Sequence, residues 1–380
     1  MIRNILLVGL LASSLLYGHG SERDHQLSLR LVNSDFHRYP ARSLFTSDGK
    51  LFVAYRTAQS KDESSTLQIV ELNGKTGSEI AKQAFAVPSA GRAKISDGFV
   101  MARDGHSLYY VELTGNPVVL AISTSTLGIL SESTVKLFDA ADFIPRVECV
   151  TETALLLSAG SKLPGKAVHL VALDSSDVSK TTLDEQISAR PGWGQSYKLS
   201  FTGNSLWMGS GKYWLKIGIR SGQIESKITA QNDVHDWAVF SGGLIGITNL
   251  ANAGYLQYFD EDGHQLRTME QPGCGFVSVQ LSPDERYGVA VCEKTGTIER
   301  NFGKTLERKA AVFECHTIAS IKSISLTTMS FKTSSGTEDT RLWYPQPTIW
   351  DSGQDIFIAV PEFSGTISLE ELKIPKQESR

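Results

Sequence analysis

Apolar residues along this chain gather in runs of four to seven, broken by Ser, Asp, Gly or Asn. Residues 274–293, CGFVSVQLSPDERYGVAVCE, show the pattern most clearly: an alternating apolar run, a turn built on Ser282-Pro283-Asp284, and a second apolar run. Helical spacing is scarce, and a spacing of two places successive side chains on opposite faces of a strand. The predicted class is all-β.

The same unit recurs along the chain. A strand ends in a bulky apolar residue, Ser, Thr or once Asp follows, and a short polar turn leads into a second apolar strand. The seven copies end their first strand at Phe45, Ile95, Val150, Phe201, Phe240, Leu281 and Trp350. Their second strands contain LFVAY, FVMA, ALLLS, SLWMG, LIGI, YGVAV and IFIAV. Intervals of 39 to 69 residues between copies scatter around the ~40–50 residues of one four-stranded propeller blade. A second strand-and-turn echo, as in LQIVELNGKTG and LQYFDEDG, fits an outer hairpin. There Asn-Gly or Asp-Gly supplies the positive φ of a tight turn.

The turn Ser282-Pro283-Asp284-Glu285-Arg286-Tyr287 between its apolar strands resembles the SPDG(R/K) hairpin of WD-repeat-like and related bacterial β-propellers, with Glu285 where glycine is usual. The resemblance covers about residues 27–374 as architecture; it implies a fold and brings no catalytic residues with it. On this reading residues 21–374 form a single β-propeller domain of seven four-stranded blades, and 375–380 form a polar C-terminal tail. The last unit is one strand short of four. The alternating stretch 26–32, QLSLRLV, is expected to complete it, which joins the chain ends and leaves no open inner edge. The 69-residue interval leaves room for six or eight blades instead. Two polar stretches, 293–308 and 333–340, read as tolerated surface insertions or as loops that carry binding specificity.

The first residues stand apart from this pattern. Arg3 precedes an apolar or small run over 5–16, and Gly18-His19-Gly20 offers small residues for cleavage. A run of about a dozen is short of the ~20 apolar residues that a spanning helix needs. Residues 1–20 are therefore expected to be a secretory signal peptide, with export to the periplasm or beyond and no membrane insertion after cleavage.

A formal charge of -4 with no long run of one sign argues against an electrostatic nucleic-acid binder. Four cysteines do not make a disulfide scaffold in so long a chain, but in an oxidising compartment they can pair. Folding 274–281 and 287–292 about the Asp284-Glu285 turn brings Cys274 near Cys292. Cys315, on a following strand, is an alternative partner for Cys292, and Cys149 reads as a buried core thiol. No nucleophile elbow, zinc-binding His-Glu string, Cys-x-x-Cys, glycine-rich phosphate loop or complete calcium loop is present. Asp260-Glu261-Asp262-Gly263 lacks the later acidic ligand of a calcium loop and reads as an outer turn. No cofactor and no metal is expected.

In a propeller the informative place is the central entrance. Three residues before each bulky residue stand Arg42, Arg92, Val147, Lys198, Trp237, Ser278 and Pro347, with Arg146, Trp193, His235 and Trp343 nearby. Cations suit carboxylate or phosphate, and aromatic faces suit sugars. These residues point to a pocket for an anionic or carbohydrate-like ligand, or alternatively to strand capping and packing between blades. The expected function is a monomeric, exported, non-enzymatic binding protein for a small molecule or protein partner. The alternative is a secreted hydrolase, lactonase or lyase, with His235 or Asp236 as acid-base and Arg42, Arg92 and Arg146 holding an anionic substrate.

Overall fold

Every period-two run that falls within the described part of the chain forms a strand. The structure is a computed structural model that describes residues 26–30, 41–57, 66–86, 98–102, 105–112, 118–135, 143–150, 154–161, 168–187, 199–202, 205–210, 212–218, 223–250, 253–294, 305–330, 346–362 and 366–374. The expected signal peptide, the C-terminal tail and most of both polar insertions lie outside these residues.

Strand β1 spans Gln26–Arg30. Sheet I holds β2 (Arg42–Phe45), β3 (Lys50–Thr57), β4 (Thr66–Asn73) and β5 (Glu79–Ala86). Sheet II holds β6 (Gly98–Met101), β7 (Ser107–Glu112), β8 (Val118–Ser123) and β9 (Ile129–Thr134). Sheet III holds β10 (Phe143–Val150), β11 (Ala154–Ser161), β12 (Val168–Asp174) and β13 (Thr181–Ile187). Sheet IV holds β14 (Leu199–Thr202), β15 (Ser205–Ser210), β16 (Tyr213–Gly218) and β17 (Ile224–Thr229). Sheet V holds β18 (Val234–Phe240), β19 (Gly243–Leu250), β20 (Ala253–Phe259) and β21 (Gln265–Pro272). Sheet VI holds β22 (Cys274–Leu281), β23 (Tyr287–Lys294), β24 (Thr305–Glu314) and β25 (Ser320–Ser330). Sheet VII holds β26 (Thr348–Asp351), β27 (Asp355–Glu362) and β28 (Thr366–Lys373), and takes β1 as its fourth strand. There Leu27 stands opposite Leu369 and Leu29 opposite Ile367.

The second strands of sheets I, V, VI and VII read as largely apolar runs because both of their faces are buried. On β3, Leu51, Val53 and Tyr55 join a core with Trp350, Phe357 and Leu369 of sheet VII. Phe52 and Ala54, on the other face, pack with Leu108, Tyr110 and Leu120 of sheet II. On β23, Ala290 and Cys292 pack toward Ile245 and Leu256 of sheet V, while Val289 and Val291 meet Ile356 and Ile358 of sheet VII. Each such aliphatic side chain contributes roughly 1.5–3 kcal/mol on burial.

Strands β5, β9, β17 and β21 are largely exposed, and in six sheets the second residue of the fourth strand is the extra residue of a β-bulge. These residues are Ile80, Leu130, Thr182, Glu225, Leu266 and Ile321. A bulge twists an outer edge away from regular pairing and so discourages edge-to-edge aggregation.

In sheets I and VI the recurrent Ser or Thr closes the first hairpin: Thr46 Oγ1 accepts the Lys50 N–H at 2.9 Å and Ser282 Oγ accepts that of Tyr287 at 3.1 Å. In sheet VII, where Asp351 holds that position, Ser352 Oγ accepts the Asp355 N–H at 3.0 Å. Glu285 adopts φ +60°, the left-handed conformation that glycine would take without strain. Its carboxylate accepts the Ser241 N–H at 2.8 Å, a bond from the sheet VI turn to the sheet V turn that glycine cannot make.

Glu285→Ala keeps the backbone strain and loses this bond, and is expected to lower stability by about 1–2 kcal/mol in urea unfolding. Glu285→Gly loses the bond but relieves the strain, so it should be less damaging. A glycine variant as unstable as the alanine variant would contradict this pairing of strain and bond.

Candidate functional site

The first strands of the sheets follow one another in space. β2 contacts β6, β6 contacts β10, and the series continues through β14, β18, β22 and β26, with β26 again touching β2. Of the residues expected at a central entrance, Arg42 opens β2, half-buried and opposite Ala54. Arg146 lies on β10 opposite Ser158. Arg92, Trp193, Lys198 and Trp343 lie outside the described residues, in the segments that precede β6, β14 and β26.

Trp237 is not an entrance residue. It is 0% exposed and packs in the core between sheets IV and V with Trp207, Trp214 and Phe259. Its ring lies over Gly209, where an added Cβ would come within 2.3 Å of it. The position three residues before the bulky residue selects the opposite face of the strand, and on β18 that face packs on sheet IV. Ser278 and Pro347, at the same alignment position, are buried as well.

His235 is the extra residue of a bulge in β18 and keeps solvent access. Partial desolvation lowers its pKa below the ordinary histidine value, against the opposing charges of Asp233 and Asp236. Asp236, its neighbour, is engaged structurally, with Oδ2 accepting the Val279 N–H of β22 at 2.8 Å. Asn249 makes a matching clamp, its Oδ1 accepting the Phe276 N–H and its Nδ2 donating to the Phe276 carbonyl, both at 2.8 Å. Together they hold β22 on either side of its own bulge between Phe276 and Ser278. Backbone groups on a strand edge demand partners, and here sheet V supplies them. The sequence carries no local signal for Asn249, because its partner is 27 residues away.

Cys274 and Cys292 form a disulfide across β22 and β23, with Cα atoms 5.6 Å apart. Cys315, the alternative partner, is a buried free thiol whose pKa burial pushes up to about 12, with Asp284, Glu285 and Glu314 adding to the effect. The side chain of Cys149 lies outside the described residues. Another buried polar contact escapes sequence reading: Arg56, 1% exposed, donates from Nε to Tyr110 Oη at 2.9 Å between sheets I and II.

A cleft of about 190 Å³ opens between sheets IV and V, lined by Trp207, Lys216, Val239, Phe240, Gly243 and Glu261. Lys216 Nζ stands 5.9 Å from the centre of the Trp207 ring. Asp260, Asp262 and His264 place one ligand-type atom each within 4.8 Å of one another. Asp260 is already engaged there, accepting the His264 N–H at 2.8 Å and facing its ring nitrogen at 3.2 Å, as an outer turn requires.

Trp237→Ala is expected to cost about 3–5 kcal/mol in chemical unfolding, as for a fully buried aromatic side chain; a change under about 1 kcal/mol would refute its core placement. Non-reducing peptide mapping should recover Cys274 linked to Cys292. Cys315 should resist thiol labelling in the native protein and react in denaturant. Native labelling of Cys315, or a Cys292–Cys315 link, would contradict the arrangement.

Among the described residues no helix is long and apolar enough to cross a membrane. No family model and no curated protein matches the sequence. Among solved structures the chain is similar to one in "Crystal Structure of Mitotic Checkpoint Complex", with a TM-score of 0.52 and 15% identity over 98% of this chain and 99% of that one. It is also similar to BamB from Moraxella catarrhalis, with a TM-score of 0.43 and 9% identity over 92% of this chain and 99% of that one. At 15% identity the first likeness speaks to fold alone. Together with its antiparallel four-stranded sheets, it gives the chain an all-β, propeller-like fold.

Proposed function

We propose that the protein is an exported, monomeric, non-enzymatic binding protein: a closed ring of seven blades, with β1 completing the last, that presents its central entrance to an acidic carbohydrate-like ligand. The ring is supported by the succession of first-strand contacts that returns from β26 to β2, and by the core that sheets I and VII share. Trp350 adds to it by donating from Nε1 to the Ser47 carbonyl at 3.2 Å. Export is supported by the apolar run at 5–16 and by the Cys274–Cys292 disulfide, since such bonds persist in oxidising compartments.

The observation that carries the non-enzymatic reading is the engagement of Asp236 with the β22 backbone. That bond gives Asp236 a structural role between sheets V and VI, which favours binding over acid-base chemistry at this residue. The cations Arg42, Arg92, Arg146 and Lys198 then serve as ligands for anionic groups, through charge-assisted hydrogen bonds.

Calorimetric titration with a panel of uronic and sulfated oligosaccharides tests this. The double variant Arg42→Ala, Arg92→Ala should fold normally and bind the best of them about ten-fold or more weakly, as the loss of a charged hydrogen bond implies. Unchanged binding by the variant, or no binding by the wild type, would reject the entrance as an acidic-glycan site.

A further inference from the structure

The cleft between sheets IV and V carries a cation on one wall and an anion on the other. Trp207 and Lys216 stand directly opposite one another in the β15–β16 register, so both side chains lie on the face of sheet IV that meets sheet V. Trp207 is buried, and the half-buried Lys216 holds its Nζ 5.9 Å from the centre of that ring. Sheet V supplies the other wall. Val239 packs against the shared core, and Phe240 and Gly243 face each other at the end of the β18–β19 pairing. Glu261, exposed, lines the same space from the turn between β20 and β21.

The backbone that carries Glu261 is well fixed. The Asp260 N–H donates to the His264 carbonyl at 3.0 Å, and the Gly263 N–H donates to the Asp260 carbonyl at 3.1 Å. Gly263 lies against sheet IV, where an added Cβ would come within 2.9 Å of Ile228. Among the described residues neither Lys216 nor Glu261 makes an ion pair, with each other or with any other group. The ammonium of Lys216 has the Trp207 ring beside it, near the ~6 Å limit of a cation–π contact. A half-buried charge with so weak a partner favours a carboxylate that the protein itself does not bring to it.

We propose that this cleft binds a small zwitterion, an α-amino acid with an aliphatic side chain. The ligand's carboxylate pairs with Lys216, its ammonium with Glu261, and its side chain lies against Trp207 and Val239. Opposite charges that line one cleft yet stay apart suit a molecule that carries both, because a ligand with a single charge satisfies one wall only. The size agrees. At the ~30 Å³ that one water takes up in the liquid, a cleft of about 190 Å³ has room for roughly six waters, enough for an amino acid and too little for an oligosaccharide. The site is separate from the central entrance, since none of its six lining residues is among those expected there.

Calorimetric titration of the intact protein with leucine tests this, beside two analogues that each keep one charge, 4-methylpentanoate and 3-methylbutylamine. Leucine should bind ten-fold or more tightly than either, the weight of one charge-assisted hydrogen bond. Lys216→Met keeps an unbranched stem beside the Trp207 ring and removes the charge; it should weaken leucine ten-fold or more and leave the amine unaffected. Glu261→Gln, at an exposed turn position where folding is not at stake, should weaken leucine likewise and leave the carboxylate analogue unaffected. The double variant Arg42→Ala, Arg92→Ala should bind leucine as the wild type does. Absence of binding by leucine, isoleucine and valine to the wild type would overturn the proposal, as would an analogue that binds as tightly as leucine. Wild-type affinity for leucine in either charge variant, or its loss in the entrance double variant, would do so equally.

Discussion

The structure depends on burying both faces of its sheets against neighbouring sheets. A single antiparallel sheet with one wet face alternates apolar and polar residues, whereas here β3, β23 and β27 are apolar at nearly every position. Successive side chains feed two different cores, as Leu51 and Phe52 do on either side of β3. Among the described residues, the main cores are shared between two sheets. Close approach is part of it: Gly246 and Gly209 lie under the rings of Trp214 and Trp237, where a methyl group would collide.

Packing faces leaves edges to be dealt with, and the inner and outer edges are treated differently. At the inner edge of sheet VI, side chains of sheet V pair with exposed backbone, Asp236 at Val279 and Asn249 at Phe276. At the outer edges, bulges at a repeated position interrupt regular pairing, and in sheet VII β1 covers β28. Polar residues that look like candidate chemistry in one dimension therefore serve largely to join sheets. Asp236, Glu285, Arg286 and Asp351 all bond across a sheet boundary.

Local physical chemistry determined a good deal on its own. Period-two runs and their turn residues are local properties, so the all-β class, the first hairpins and the recurrence of Ser or Thr at their turns could be read from neighbouring residues. The resemblance to the SPDG(R/K) hairpin marked Glu285 as standing at the usual glycine position, and the structure gives it φ +60°. The approach of Cys274 to Cys292 followed from hairpin geometry alone.

What the tertiary structure alone decided concerns partners far apart in the chain. Trp237 looks like an aromatic lining residue until sheet IV is placed against it, and Asp236 looks like an acid until Val279 arrives 43 residues later. Asp351 gains its meaning from a turn 65 residues earlier, which brings Arg286 to it. The physical reason is common to all three. A strand residue's face follows from alternation along the chain, but what that face meets depends on which sheet packs there, and no local pattern encodes that neighbour.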